Sequence, residues 1–135
     1  MCLLSDNMPV PTRTESERVF YKVLAMGKNG CYYSPYMARP YELNVLHEMD
    51  DQEKFDILRY AYGWEIRPCG FHLFVELDDA FREAAYLNQT RVECNGFERY
   101  FVVRAVVPEG TLYVEGDYLP DAKCVVVKKV RYEEL

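Results

Sequence analysis

The chain has 135 residues, 50% of them hydrophobic and 28% charged, and a formal net charge of −6. This size and composition predict one globular domain, and no apolar run approaches the roughly 20 residues that cross a bilayer. The amino terminus lacks the basic region of a signal peptide. The acidic balance argues against a nucleic acid polymer as partner, because such partners bind a broad basic face. We therefore expect a cytoplasmic protein that binds neither membranes nor nucleic acid polymers.

Five cysteines are scattered along the chain, and no two of them form a CxxC pair. They are Cys2, Cys31, Cys69, Cys94 and Cys124. In a cytoplasmic protein such cysteines are expected to be reduced and mostly buried. Only His47 and His72 are available as imidazole ligands, so we predict no metal and no cofactor. The sequence also lacks a nucleophile elbow, a P-loop and a GxGxxG motif, which argues against several common enzyme classes.

The first 17 residues contain two prolines and no hydrophobic periodicity. This pattern predicts an extended arm that covers a sheet edge or hangs free. The single domain is expected to follow at residues 18–135. Its first strand is predicted at residues 18–25, which are mostly apolar, β-branched or aromatic, and a glycine-containing turn ends it.

The next segment, residues 31–41, is rich in tyrosine and proline. It holds four tyrosines, two prolines and one arginine, a composition unsuited to a helix or a central strand. We predict a loop that either packs on the core through its rings or forms the wall of a ligand site. In the second case Tyr33, Tyr36 and Tyr41 stack on a base, and Arg39 meets a phosphate.

A helical pattern follows at residues 50–62. Phe55, Leu58 and Tyr62 recur at helical spacing, with aspartates at the start and Gly63 just past the end, so we predict a helix here. The residues after it are expected to be an extended lead-in to the next strand.

The stretch of residues 70–87 changes its hydrophobic period midway. Residues 71–76 alternate with period two, which predicts a strand, and the residues after them follow a helical face. That face comprises Leu77, Ala80, Phe81, Ala84, Ala85 and Leu87. Asp78 and Asp79 are expected to cap the helix and stabilise its first turn, and Asn88 to end it.

His72 lies on this predicted strand, shortly after a glycine that allows close backbone approach. One interpretation is a sheet histidine bonded to a neighbour. The other is a functional residue that donates to a phosphate or a ribose, or stacks on a ring.

After the helix the chain becomes rich in strand formers. An Asn-Gly pair predicts a type I′ turn that joins residues 90–94 and 97–107 in a hairpin. Further strands are predicted at residues 111–115 and 123–132, with a loop at 116–122. The whole pattern predicts one α+β domain, with a largely antiparallel sheet and two helices.

The order of these elements is similar to the ADP-ribosyltransferase-like fold. In bacterial branches of that family an early strand reads Tyr-His-Gly-(Ser/Thr), a later Gly-Phe-Tyr-(Leu)-Thr strand precedes an alanine-rich helix, and a glutamate comes from a late strand. By position, the Phe-Tyr-Lys of residues 20–22 matches the first motif, the Gly-Phe-His-Leu of residues 70–73 the second, and Glu115 the glutamate. The resemblance implies a divergent enzyme with an altered triad, in which Lys22 replaces the NAD-ribose histidine and His72 the nicotinamide-stacking tyrosine.

The chain also resembles a group of small bacterial and phage proteins over nearly its whole length. They share an opening like Met-Cys-Leu-Leu, a Tyr-Lys-Val strand, Ser-Pro-Tyr and Gly-Phe-His motifs, and a Val-Pro-Glu-Gly-Thr-like turn before a Tyr-x-Glu-Gly segment. That group has no known activity. The resemblance implies a phage or mobile-element origin.

These observations favour a small domain that binds a nucleotide-type ligand without catalysis. The predicted contacts are Tyr33, Tyr36, Arg39, Tyr41 and His72. In a phage such a protein would sequester a nucleotide signal used in host defence, an extension by analogy. Two alternatives stay open: an ADP-ribosyltransferase-like enzyme with Lys22, His72 and Glu115 as its triad, and an interaction module. The latter would bind a protein or a second copy of the chain through exposed tyrosines and strand edges.

Overall fold

The computed structural model describes residues 3–36, 39–49, 55–67, 69–91, 96–118 and 121–135. Within these ranges the chain forms strands and one α-helix, which places it in the α+β class with the sheet dominant. The first seven strands are β1 (Leu3–Ser5), β2 (Thr12–Arg13), β3 (Arg18–Gly27), β4 (Tyr32–Tyr33), β5 (Pro40–Tyr41), β6 (Leu46–Glu48) and β7 (Ile57–Tyr60). The others are β8 (Gly63–Ile66), β9 (Phe71–Phe74), β10 (Phe97–Val107), β11 (Leu112–Tyr118), β12 (Ala122–Val127) and β13 (Lys129–Glu134). Helix α1 spans Leu77–Thr90.

The centre of the sheet is the long antiparallel pair of β3 and β10. Their register runs from Arg18 opposite Val107 to Gly27 opposite Phe97. Around this pair the strands follow the order β6-β13-β10-β3-β9-β12-β11-β1-β8-β7, and the pairings between described strands are antiparallel. The predicted α+β class and largely antiparallel sheet are therefore confirmed.

The sheet curls because the consecutive strands β12 and β13 have different neighbours. The single residue Lys128 joins them, yet β12 pairs with β9 whereas β13 pairs with β10. The continuous strand predicted at residues 123–132 is therefore wrong. It breaks at Lys128, whose backbone N–H donates to the Leu112 carbonyl. The curl surrounds an apolar core that includes Leu73 and Tyr132.

A second core lies between the opposite face of the sheet and helix α1. Ala80, Ala84 and Leu87 are the buried helix residues, and they pack against the sheet. Phe81 and Ala85 were expected on the same face but are exposed. The reason is that the helix contacts the sheet only along the narrow i, i+4, i+7 stripe. Within the described residues, this helix is neither long nor apolar enough to cross a membrane.

The capping expected at the two ends of the helix differs from what the structure shows. The residue before the first turn is Glu76, which makes no side-chain cap hydrogen bond, and Asp78 and Asp79 both lie inside the first turn. Asn88 does not end the helix, which continues beyond it. Its amide Nδ2 donates to the Tyr100 carbonyl over 2.9 Å, and the Tyr100 N–H donates to its Oδ1 over 2.7 Å. Asn88 therefore ties the helix to β10.

The second predicted helix, at residues 50–62, is wrong where the structure describes it. Residues 50–54 lie outside the described ranges, and the residues of β7 pair with β8 in a hairpin. The helical spacing was misleading because Leu58 and Tyr62 are exposed, at 39% and 87%. Strand pairing half-buries Ile57 against the sheet instead.

The strand predicted at residues 90–94 is also wrong for its described part. Thr90 belongs to the helix, and residues 92–95 lie outside the described ranges. Gly96 has the positive φ, 73°, that the turn chemistry predicts, and the strand after it begins as expected. That strand pairs with β3 and β13.

Two further segments belong to the sheet more fully than the sequence predicts. Residues 1–17 were expected to be an arm, but they contain β2 and the buried Leu3 of β1, which lies between β8 and β11. The loop predicted at residues 116–122 begins later, because β11 stays paired with β12 as far as Tyr118, opposite Ala122.

Candidate functional site

One edge of β3 pairs with β10, and the opposite edge pairs with two different strands, β9 and β4. The candidate site lies between these two strands. Tyr21 pairs with Phe74 of β9, whereas Ala25 pairs with Tyr33 of β4. Between these two points no described strand pairs with this edge of β3. The strands β3 and β9 therefore have room to diverge, and a cleft lies there.

The tyrosine-rich segment, residues 31–41, forms one wall of the cleft. Its strands β4 and β5 make a short hairpin in which Tyr33 lies opposite Pro40. The Ser34 N–H donates to the Arg39 carbonyl over 2.8 Å, and the Arg39 N–H donates to Ser34 Oγ over 3.1 Å. These bonds position the wall without the help of a ligand.

The cleft has a volume of about 120 Å³. Its polar and aromatic lining includes Lys22, Ser34, Tyr36, Arg39, Tyr41 and His72. Gly70 belongs to the floor, where an added Cβ would lie 2.7 Å from both Val126 Cγ1 and the Val127 carbonyl oxygen. Glycine is needed at this position because only hydrogen fits between the floor and β12.

Two lysines hold the floor of the cleft, residues 69–72, at its two ends. Lys22 Nζ donates to the His72 carbonyl over 2.9 Å, and Lys128 Nζ donates to the Cys69 carbonyl over 2.6 Å. Lys128 is fully buried, and its ammonium lies 4.5 Å from the centroid of the Phe55 ring. Hydrogen bonds from charged donors are stronger than those between neutral groups, so the floor is held in place before a ligand arrives.

His72 is buried beside the cleft, and no described residue bonds to either of its ring nitrogens. The residue is only 7% exposed. Burial, and then the charge of Lys22, lower the pKa of His72 to about 3, so the ring is neutral near pH 7. A neutral imidazole carries one donor and one acceptor. Because unbonded buried polar atoms are costly, a ligand oxygen or hydroxyl in the cleft would stabilise this arrangement.

The lining of the cleft carries positive charge. Lys22 and Arg39 supply two cations, and no described carboxylate lines the cleft. Burial lowers the pKa of Lys22 to about 8, with Cys124 acting in the opposite direction, so Lys22 is mostly charged at neutral pH. Burial also raises the pKa of Tyr41, and the neighbouring Arg39 opposes that rise. The arrangement is a locally positive cleft on a protein whose net charge is −6.

Four of the five predicted ligand contacts line the cleft together. They are Tyr36, Arg39, Tyr41 and His72. Tyr33 lies elsewhere: its ring stacks on Phe97 with centroids 5.7 Å apart, and its hydroxyl accepts a hydrogen bond from Asn29. Tyr33 therefore attaches the loop to the core, which was the other interpretation of the tyrosine-rich segment.

The three residues of the alternative catalytic triad do not converge. Lys22 and His72 line the cleft, but Glu115 is exposed on β11. In the sheet register Glu115 lies opposite Val125, and Val125 lies opposite Leu73, the neighbour of His72. Register partners share one face of a sheet and successive residues alternate, so Glu115 and His72 lie on opposite faces.

Sequence reasoning missed a carboxylate beside the cleft, Glu83 of the helix. The Tyr36 hydroxyl donates to Glu83 Oε1, and the Tyr118 hydroxyl donates to the same oxygen over 3.4 Å. The contact links the loop, the helix and β11. Its signal in the sequence is weak, because Glu83 fits the ordinary polar face of an amphipathic helix.

A larger space, which we call the helix-side chamber, lies beyond this contact. It has a volume of about 390 Å³, and its lining includes Tyr36, Phe74, Glu83, Tyr86 and Tyr118. A narrow neck of about 20 Å³ shares Lys22 and His72 with the cleft and Phe74 and Glu83 with the chamber. The cleft and the chamber are thus adjacent parts of one concave surface.

The structure is a small α+β domain with a cleft that Lys22 and Arg39 line with positive charge. Comparison of the chain with protein-family models, with curated proteins and with solved structures found no match. The described residues hold no group of three His, Cys, Asp or Glu arranged for a metal ion. Function is therefore inferred from the chemistry of the cleft.

Proposed function

We propose that this protein binds a phosphate-bearing small molecule of the nucleotide type in the cleft between β3 and β9, without catalysing its conversion. The observation that carries the proposal is the lining of the cleft. The cations of Lys22 and Arg39 lie there with a buried His72 whose ring nitrogens are unbonded by described residues, and no described carboxylate lines the cleft. Cations in this setting bind phosphate oxygens through charge-assisted hydrogen bonds.

The two cations have complementary roles in this binding mode. Lys22 uses one of its three N–H donors on the His72 carbonyl, which leaves two for a ligand. The exposed Arg39 offers a planar fork that matches two phosphate oxygens. Lys22 therefore holds the anion at the floor, and Arg39 closes on it from the wall.

The size of the cleft determines which part of the ligand it holds. Sites for whole small molecules measure roughly 300–1,000 Å³, whereas this cleft measures about 120 Å³. The cleft is therefore suited to the phosphate end. The rings of Tyr36 and Tyr41 in its lining would contact the adjoining group of the ligand.

A binding role fits these residues better than an enzymatic role. Cys69 is the thiol that lines the cleft, but its sulfur accepts a hydrogen bond from the Asp56 N–H over 3.2 Å. A nucleophilic cysteine needs an adjacent base, and no described residue, Cys69 included, bonds to the ring of His72. Glu115, the carboxylate of the ADP-ribosyltransferase-like alternative, lies on the other face of the sheet. In a phage, binding without turnover would sequester a nucleotide signal.

Thermal unfolding with inorganic phosphate, pyrophosphate, AMP, ADP-ribose and NAD tests this proposal. At one hundred times the dissociation constant, a ligand adds about 2.7 kcal/mol of stability, which corresponds to several degrees for a domain of this size. We expect a shift that Arg39→Met reduces. The matched control Arg59→Met, an exposed arginine on the edge strand β7, should keep the full shift.

Chromatography of each ligand after the experiment separates binding from catalysis. Recovery of the intact ligand is the expected result. Consumption of NAD would overturn the non-catalytic assignment and support the enzyme. A complete lack of thermal shift with all five phosphate compounds would overturn the binding proposal itself, and would favour the interaction module.

A further inference from the structure

The helix-side chamber has a chemistry different from that of the cleft. Aromatic rings of Phe74, Tyr86 and Tyr118 line it, together with carboxylates from Asp79, Glu83 and Asp121. Aromatic faces stack on planar rings, and carboxylates accept hydrogen bonds from amino groups. The chamber therefore suits a flat ring that carries an amine, whereas the cleft suits an anion.

Glu83 is positioned to act as the acceptor in the chamber. Its Oε1 is held by the hydroxyls of Tyr36 and Tyr118, while no described residue donates to its Oε2. Burial raises the pKa of both tyrosines, so their hydroxyls stay protonated and remain donors. The carboxylate is thereby oriented through one oxygen, and the other is left for a ligand.

The other charged side chains of the chamber are those of Asp79, Arg82, Arg91 and Asp121. Asp79 pairs with Arg82, with Oδ1 and Nη1 3.4 Å apart. Arg91 also lines the chamber and is a donor rather than an acceptor. Of the three described carboxylates in the chamber, Glu83 is the one that also lines the neck leading to the cleft.

We propose that the helix-side chamber binds the base of the same ligand whose phosphate lies in the cleft, with Glu83 accepting a hydrogen bond from an exocyclic amine. The ligand class is then a nucleotide with an amino-bearing base. Its sugar would lie at the neck beside His72, and the neck, now about 20 Å³ or the space of one water, would have to widen to admit it. This inference rests on the proposed function, because it assumes that the cleft holds the phosphate.

Calorimetric titration with two pairs of monophosphates tests the assignment. AMP and IMP differ at one exocyclic group, amine against carbonyl, and CMP and UMP differ in the same way. We expect the wild-type protein to bind the amino member of each pair about tenfold more tightly, the gain expected of a hydrogen bond to a charged group. Glu83→Gln should bring the members of each pair close to equal affinity, because an amide can donate as well as accept.

The matched control is Glu109→Gln, an exposed carboxylate in the turn after β10, which should keep the wild-type preference. Equal binding of AMP and IMP by the wild-type protein, with binding still lost in Arg39→Met, would overturn this inference and leave the anion site standing. Loss of phosphate binding in Arg91→Met but not in Arg39→Met would also overturn this inference. The phosphate would then lie in the chamber, and the ligand would be bound in the opposite orientation. Failure of phosphate and all four nucleotides to bind would remove both proposals. The wild-type comparison needs no variant, so misfolding of Glu83→Gln does not block the test.

Discussion

The Lys22 ammonium donates to the His72 carbonyl over 2.9 Å, although their two strands pair only at Tyr21 and Phe74. The bond spans the place where β3 and β9 separate. A sheet normally satisfies such a carbonyl with a backbone N–H from the adjacent strand. Here a charged side chain replaces that partner, so a cation becomes part of the lining of the cleft.

The charge of Lys22 predicts how binding depends on pH. Burial lowers its pKa to about 8, so the ammonium is charged below that pH and becomes neutral above it. Affinity for AMP should therefore fall as the pH rises from 7.5 to 9.5, a range in which the phosphate charge is constant because its second pKa is about 6. Isothermal titration calorimetry at the two pH values measures the change.

Two variants control this prediction. Lys22→Met should bind AMP about tenfold more weakly at pH 7.5 and lose the dependence between the two pH values, because the lost contact is a charged hydrogen bond. Lys22→Arg keeps a cation at both pH values. An unchanged affinity in Lys22→Met would show that this lysine has only a structural role.

His72 predicts a loss of stability in mild acid. Its pKa is about 3 in the folded protein against about 6.5 in an unfolded chain, so between these values the unfolded state binds the additional proton. The unfolding free energy should therefore decrease as the pH falls from 6.5 towards 3, by about 1 kcal/mol per pH unit from this residue. Urea unfolding at pH 7 and pH 5 measures the decrease.

Neither His72→Phe nor His72→Gln can titrate in this range, so both should show a smaller loss between pH 7 and pH 5. Agreement between the two variants separates the effect of titration from that of packing, because their side chains differ in shape. A loss in both variants as large as in the wild-type protein would contradict the prediction.

Removing the Lys128 ammonium should lower the free energy of unfolding, because it holds one end of the floor of the cleft. Lys128→Met removes the donor to the part-buried Cys69 carbonyl and should destabilise the protein by about 1–3 kcal/mol, the cost of an unsatisfied polar group. Lys129→Met, at the partly exposed next position, should change stability by less than about 0.5 kcal/mol. Urea unfolding compares the two. Equal effects would mean that the bond to Cys69 contributes little.

Removing the Asn88 side chain should lower the free energy of unfolding, because this side chain attaches the helix to β10. Its side chain bonds both backbone groups of Tyr100, at a point of β10 where pairing with β13 has not yet begun. Asn88→Ala should cost about 1–2 kcal/mol, since two backbone groups lose their partner. Gln89→Ala, on the exposed side of the same turn, is the control and should be close to neutral. Chemical unfolding of both variants decides the matter.

The spacing of hydrophobic residues along the chain was enough to predict β9 and α1, the elements beside the site. The change from period two to a helical period located β9 and the start of α1 closely, because both patterns depend on neighbours in the chain. The tyrosine-rich segment was recognised from its prolines and rings, and Tyr36, Arg39 and Tyr41 do line the cleft.

The features that the sequence did not predict depend on contacts between residues far apart in the chain. Tyr33 leaves the cleft because Phe97, far along the chain, provides a ring for it to stack on. The apolar run around residue 125 gave no sign of the break at Lys128, which arises because the two strands pair on different sides of the sheet. Glu83 was missed for a similar reason: its tyrosine partners come from a distant loop and strand.

The most direct test of the binding site is the NMR spectrum of the histidine rings during a titration with AMP. The chain has two histidines, His47 and His72, so the ring signals are few and assignable. A ligand in the cleft should shift the His72 signals in a saturable manner, because that ring lines the cleft and its nitrogens are free of described partners. The same titration of Arg39→Met should give a much weaker response. His72 signals that stay unchanged up to the solubility limit of AMP, or a response confined to His47, would contradict the account.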